Sequence, residues 1–270
     1  MDERVRNTAV ILTGHHRSGT SILALLCNSH PDIAITNEFG NFGALGEPWA
    51  AYARFIFSRW WHRRNVPFAL APVYARRVRG AYMLKNLIFI SRYLYAIAGQ
   101  RIGQVDAAVI AAALRTMTPE KRVFGDKHPD YVFQLDRFAR MESLRCVFIY
   151  RDPRDLANSV VAVSRTVWRN SFPSELREAE EVARRWVHMI DIWQQQSAKV
   201  HAIRYEDLVL TPGAVLPALG AWLGVDPDGF QHQMLRADSV GKYRTGLSEQ
   251  ETLDVLAIAG STMRRLNYQF

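Results

Sequence analysis

The sequence predicts an α/β protein: a parallel sheet between two layers of helices, with a helical insertion. Three observations predict it. Short apolar runs alternate with helical patterns along the chain, which is the signature of a parallel sheet covered on both faces. A glycine-framed stretch, GHHRSGTS at Gly14–Ser21, joins the first apolar run to the first helix. Between Pro48 and about Met117 the pattern changes to helical period, rich in Trp, Tyr, Phe and Arg. The chain of 270 residues is long enough for one large domain, 1–270, with residues 48–117 inserted in it. No internal repeat, low-complexity tract or linker divides it.

The elements follow in order. TAVILTG (8–14) is a short apolar run ending in glycine, a buried parallel strand entering a turn. TSILALLCNS (20–29) reads as a helix that His30-Pro31 ends. IAI (33–35) reads as the second strand, completing the start of a βαβ unit. RVFGDK (122–127) is the next strand, followed by HP and a helix over about 131–140. RCVFIYR (145–151) is the clearest strand, and Pro153 opens a helix to about Arg165, since proline is tolerated in a first turn. A long amphipathic helix covers about 174–198, VHAIRY (200–205) is a further strand, and the remainder is mostly helical with one loop, SVGKYRTG (239–246).

Composition narrows the function classes. Hydrophobic content of 49% and charged content of 22% are those of a folded globular protein. A net charge of +8 suits an anionic ligand or partner. The two cysteines, Cys27 and Cys146, lie in apolar runs and give no disulfide framework, and no Cys/His cluster has zinc spacing. The N-terminal MDERVRNTAV carries no apolar core of a signal peptide, so a cytoplasmic setting is expected. Lys85 and Arg92 interrupt the apolar stretch 81–99, which reads as a buried or interface-lying helix rather than a span. Residues 54–98 concentrate positive charge among aromatics and are compatible with membrane-surface contact.

The glycine stretch has the frame G-x-x-x-x-G-x-S of a phosphate-binding P-loop. Such a loop turns backbone N–H groups toward an anion, and the helix N-terminus adds partial positive charge. Gly14 and Gly19 permit close approach, Ser18, Thr20 and Ser21 add hydroxyls, and Arg17 adds a forked cation. A triphosphatase or kinase loop carries lysine after the second glycine; this chain has Thr20. The run LRCVFIY ends in Arg151, with no aspartate to hold magnesium. The site reads as one for a nucleotide with a short anionic tail and no obligatory metal. The frame alone is a weak signal.

The second motif is RDPRDLANS, Arg151 to Ser159. Arg151 stands at the C-terminal end of a strand, where open α/β sheets place ligands. Ser159 follows two turns into the next helix, so both can face one phosphate. Taken by itself the motif reads equally as Arg and Asp pairing on a solvated helix start.

Together, R-S-G-T-[TS] after the first strand and R-D-P-R-x-x-x-x-S after a later one resemble the sulfotransferase family. These enzymes use 3′-phosphoadenosine 5′-phosphosulfate. The resemblance covers Val10 to about Gly246 and is weakest in 48–117. It implies a P-loop-type fold and a 5′-phosphosulfate loop at Gly14, His16, Arg17, Ser18, Gly19, Thr20 and Ser21. It further implies a 3′-phosphate site at Arg151 and Ser159. Arg17, where some branches have lysine, resembles the branch of protein-tyrosine and many bacterial sulfotransferases. HPDIAITNE resembles a segment of that branch and places Glu38 as the general base. GDKHPDY resembles the K-x-P segment and gives Lys127, which would neutralise charge developing during transfer. SVGKYRTG resembles the segment closing over the donor, with Ser239, Lys242 and Arg244 as donor contacts. RYEDLV (204–209) resembles a structural segment with Glu206 or Asp207 capping a helix. His15 and His16 are read as lining the mouth of the site, and His128 as a weaker base candidate.

The reaction implied is in-line sulfuryl transfer to a hydroxyl on a tyrosyl, carbohydrate or lipid-linked acceptor, without a metal. The acceptor side falls to the insertion, and the positive charge favours an anionic acceptor. Some family members pair as dimers. The rival classes are a P-loop kinase or other nucleoside-triphosphate-binding protein and a non-catalytic nucleotide- or nucleic-acid-binding protein; no nucleic-acid motif is visible.

Overall fold

The computed structural model describes residues 9–63, 80–100, 103–166 and 177–269. Five strands form one sheet: β1 (Ala9–Gly14), β2 (Ile33–Asn37), β3 (Val123–Lys127), β4 (Leu144–Tyr150) and β5 (Val200–Arg204). Their order is β2-β3-β1-β4-β5, and every pairing is parallel. The alternation of side chains along β1 explains why its sequence is a continuous apolar run. Ala9 and Ile11 enter the core on one face, Val10 and Leu12 the core on the other.

The first core packs β1, β3 and β4 against α4 (Ala107–Met117), α6 (Pro153–Ser164), α7 (Ala179–Gln195) and α11 (Glu249–Arg265). It also takes Tyr52 and Ile56 of α2 (Trp49–Arg63) and Ile90, Tyr93 and Ile97 of α3 (Gly80–Ala98). The second core packs the opposite face against α1 (Thr20–Ser29), α8 (Tyr205–Leu210) and α9 (Pro212–Leu223). The helix ends follow from local chemistry. Asp152 caps α6 by accepting from the Arg154 N–H at 2.9 Å, with Pro153 in the first turn. Ser248 and Glu251 close a reciprocal capping box on α11. Gly224, left-handed at φ 72°, terminates α9.

Between β2 and β3 the described residues include α2, α3 and α4, with a 3₁₀ turn at Asn41–Ala44 and irregular connections; residues 64–79, with the basic run 74–79, and 101–102 lie outside the described residues. No described helix is long and apolar enough to cross a membrane. Three expected elements differ. The stretch after β3 is a 3₁₀ turn, Pro129–Gln134, followed by the short α5 (Leu135–Phe138), not one helix. The Pro129 carbonyl accepts the Thr13 hydroxyl at 2.8 Å, which ties the turn to β1. The amphipathic helix begins at Ala179 and ends at Gln195; part of the expected start, up to residue 176, lies outside the described residues. The loop 239–246 contains a single helical turn, α10 (Tyr243–Gly246).

Candidate active site

The site forms where β1, β3 and β4 end, at the carboxyl edge of the sheet. The loop from β1 to α1 needs its glycines. A Cβ at Gly14 would collide with the Ile149 carbonyl of β4. Gly19 is left-handed at φ 106°, and its Cβ would lie 2.5 Å from Tyr205 Cδ2. The Ser18 hydroxyl donates to the Ile149 carbonyl at 3.1 Å and ties the loop to β4. Arg17 holds a left-handed backbone at φ 71° without being glycine, a strain of about 1–3 kcal/mol that surrounding contacts must offset.

Arg17 joins the two motifs. Its Nε donates to the Ser159 hydroxyl at 3.1 Å, across 142 positions of sequence. Arg151 donates from Nη1 to the Arg17 carbonyl at 3.4 Å and from Nη2 to the Ser239 carbonyl. Its guanidinium lies 4.8 Å from the centre of the Tyr205 ring. The Arg151 Nε is buried without a hydrogen-bond partner. Asp155 faces Arg151 at 3.8 Å and accepts from the N–H groups of Gly241 at 2.6 Å and Tyr243 at 2.9 Å. The segment 239–246 is thereby fastened over the second motif. Arg151, Asp152, Arg154 and Asp155 are all buried, so a solvated helix start does not describe RDPRDLANS.

The third part is an ion pair. Lys127 Nζ, on a side chain only 1% exposed, donates to Glu38 Oε1 at 2.7 Å and lies 3.4 Å from the Ser21 hydroxyl. Burial alone would raise the Glu38 carboxyl, but the Lys127 ammonium outweighs it and holds it below its usual range. Glu38 also sits at a left-handed φ of 55°, with its N–H bonded to the Lys127 carbonyl at 2.7 Å.

The histidines divide. His15 is buried, its Nδ1–H donating to the His16 carbonyl at 2.7 Å, and burial pushes its imidazole down to about 3. His16 is a quarter exposed, with Nε2 at 3.4 Å from Asp130; that contact holds the Asp130 carboxyl well below its usual range. Arg185 of α7 fixes the same carboxylate at 2.9 Å. His128 has Arg59 of α2 beside its Nε2 at 2.9 Å.

A model of the sulfotransferase family matches residues 9–229. The chain belongs to the sulfotransferase family. Solved structures with the same fold include the sulfotransferase domain of the Synechococcus PCC 7002 olefin synthase. It superposes with a TM-score of 0.58 at 17% identity, over 97% of this chain and 95% of that one. Sulfotransferase STF9 from Mycobacterium avium gives 0.53 at 12% identity, over 98% and 78%. Mouse sulfotransferase SULT7A1 complexed with PAP gives 0.50 at 14% identity, over 96% and 85%. No curated protein sequence matches the chain.

In this sulfotransferase, then, Gly14, His16, Arg17, Ser18, Gly19, Thr20 and Ser21 share one loop, and Arg151, Ser159 and the Ser239 carbonyl adjoin it. Lys127 and Glu38 stand together beside Ser21. Lys242 and Arg244 are exposed. Lys242 makes no side-chain hydrogen bond or ion pair among the described residues, and Arg244 packs 5.0 Å from the Tyr243 ring centre. Glu206 accepts from the N–H of Asp152 at 2.9 Å and so braces the start of α6.

Sequence reading missed four site residues. Asp155 lay inside a quoted motif, one helical turn from Arg151, and that spacing was the available signal. Asp126 and Asp130 flank Lys127 in GDKHPDY. Tyr205, which opens α8 and faces Gly19, had no signal in the sequence.

Proposed function

We propose that this enzyme moves a sulfuryl group from 3′-phosphoadenosine 5′-phosphosulfate to an acceptor hydroxyl by in-line transfer, with Glu38 as general base. The observation that carries the reading is the Arg17–Ser159 bond at 3.1 Å, which makes one anion-binding wall of two distant motifs. The residues fit such a donor. Gly14 and Gly19 let the loop pack tightly on Ile149 and Tyr205 and so fix its course, and the buried Arg151 Nε has no hydrogen-bond partner within the protein. The loop N–H groups, Arg17, Thr20 and Ser21 would hold the 5′ end; Arg151 and Ser159 would hold the 3′-phosphate, with 239–246 as cover. Among its candidates the Ser239 hydroxyl is bonded to the Tyr205 hydroxyl at 2.7 Å, which favours a supporting role.

The donor, when bound, supplies the sulfuryl group and a phosphate leaving group. Glu38, ionised because Lys127 holds it so, takes the proton of the acceptor hydroxyl as the new O–S bond forms. Lys127, between Glu38 and Ser21, neutralises charge developing on the leaving phosphate oxygen, and Arg17 does the same from the loop side. The products are a sulfated acceptor and adenosine 3′,5′-bisphosphate. The acceptor side is assigned to the stretch 48–117. Support comes from Arg59 of α2, which donates to the Phe39 carbonyl at 3.3 Å and reaches His128, immediately beside Glu38 and Lys127.

The test is transfer of isotopically labelled sulfur to a panel of tyrosyl, sugar and lipid-linked hydroxyls, with Glu38→Gln alongside. General base catalysis contributes about 100- to 10,000-fold, so the variant loses turnover on that scale while keeping bisphosphate affinity. Comparable turnover in the variant removes Glu38 from the base role.

A further inference from the structure

We propose that Asp126 is a positioning residue for this reaction: its buried carboxylate clamps the turn after β2 and so sets where Glu38 stands. The inference rests on Glu38 acting as the base. Asp126 is fully buried on β3, one residue before Lys127. Its carboxylate collects four donors. Thr36 Oγ1 gives one at 2.7 Å, Tyr131 Oη one at 2.8 Å, and the N–H groups of Phe39 and Gly40 give two at 3.2 and 2.8 Å. Tyr131 extends the clamp, its hydroxyl accepting from the Phe42 N–H at 3.1 Å.

These bonds fall on the residues that directly follow Glu38. A non-glycine residue at φ 55° is held there only if its surroundings over-determine it. Two successive N–H groups locked to one carboxylate do so, together with the Glu38 N–H on the Lys127 carbonyl. Gly40 completes the device. It is left-handed at φ 78°, and a Cβ there would run into the Arg59 guanidinium. β3 thus carries both halves of the arrangement, Lys127 gripping the Glu38 carboxylate and Asp126 gripping its backbone.

The clamp is strongest while Asp126 is ionised. A proton on the carboxyl can be taken up by reversing the Thr36 bond, since that hydroxyl also reaches the Gly125 carbonyl at 3.0 Å, but the Phe39 and Gly40 N–H bonds then lose their charge assistance. The groups facing Asp126 supply no cation at hydrogen-bond distance among the described residues. They are Tyr131, Tyr52 of α2 and Tyr93 of α3, with Arg59 and His128 further out beyond Tyr131. Burial raises the Asp126 carboxyl to about 6 in spite of its donors. Glu38 is held low by Lys127 and stays ionised in that range. An acid limb of turnover near pH 6 is therefore expected from Asp126 and not from the base.

The test measures kcat against pH, bisphosphate affinity and amide protection in wild type, Asp126→Asn and Tyr131→Phe. A displaced catalytic group costs about 10- to 100-fold. Asp126→Asn is expected to lose kcat on that scale, keep bisphosphate affinity and lose the acid limb. Tyr131→Phe removes one donor from the carboxylate, so its acid limb moves to higher pH; it serves even where Asp126→Asn does not fold. An unmoved limb in both variants, or bisphosphate affinity falling in step with kcat, overturns the proposal. Amide exchange separates it from the reading on which it rests. Protection of Phe39 and Gly40 in wild type drops as pH falls through about 6 whether or not any acceptor is sulfated. Unchanged protection there refutes the clamp itself.

Discussion

Removal of Arg151 tests the division of the donor site into two anion pockets. The guanidinium is buried, fixed by the carbonyls of Arg17 and Ser239, stacked on Tyr205, and retains an unpartnered Nε. A phosphate at that fork receives charge-assisted hydrogen bonds worth about 1.5–3 kcal/mol each. Two such bonds, discounted for the carbonyl contacts Arg151 already makes, leave about 3 kcal/mol. That is roughly a 100-fold loss of affinity for adenosine 3′,5′-bisphosphate in Arg151→Ala. AMP lacks the 3′-phosphate and should bind both proteins within about threefold, a difference well under 1.4 kcal/mol. The covering segment keeps the Asp155 bonds to the Gly241 and Tyr243 N–H groups but loses the Arg151 contact to the Ser239 carbonyl. Arg151→Lys keeps the charge but not the fork and should fall between. Titration calorimetry with both nucleotides gives the comparison. An unchanged preference for the bisphosphate over AMP refutes the assignment of Arg151 to the 3′ side.

Lys127→Met should lower kcat by about 100-fold or more, the scale of losing one preorganised donor to developing charge. The same variant has a pH signature. Because Lys127 holds the Glu38 carboxyl low, the pair stabilises the fold above the ordinary carboxylate range, and that stability is lost as pH falls through the native value. The melting-temperature gap between wild type and variant should therefore narrow in acid; a constant gap contradicts the pairing. Gly19→Ala, which forces a Cβ toward Tyr205 at φ 106°, should cost about 2 kcal/mol, roughly 4–8 °C in Tm, and weaken bisphosphate binding. Wild-type affinity in that variant contradicts the close approach of the loop. On α3, Leu84, Leu87, Ile88 and Tyr95 are exposed, and the chain carries +8, so salt-sensitive binding to anionic liposomes is expected. Absence of binding at low salt removes membrane contact from the account.

β1 and most of β4 were legible because burial on both faces makes them near-continuous apolar runs, whereas β3 carries Asp126 and Lys127 and β5 is only half buried. The loop was legible because Gly14 and Gly19 answer to steric demands that only glycine meets. The 3₁₀ turn after β3 was not; it is tied to β1 by the Thr13 hydroxyl on the Pro129 carbonyl, a contact that spans 116 positions. The same holds for the site. Arg17, Glu38, Lys127, Arg151 and Ser159 stand in motifs whose spacing survives in one dimension. Asp126, Asp155 and Tyr205 act on backbone N–H groups, on a neighbouring cation and against a bare glycine. Such partnerships appear only when the chain is folded.

The most direct measurement is the melting temperature with adenosine 3′,5′-bisphosphate, against AMP and against ATP with Mg²⁺. At 100 times its dissociation constant a ligand of the native state adds about 2.7 kcal/mol, which for a chain of this size is roughly 5–10 °C. A rise of that size is expected with the bisphosphate without metal, and a smaller one with AMP at the same concentration. A larger rise with ATP and Mg²⁺ would contradict this expectation and favour a triphosphate site.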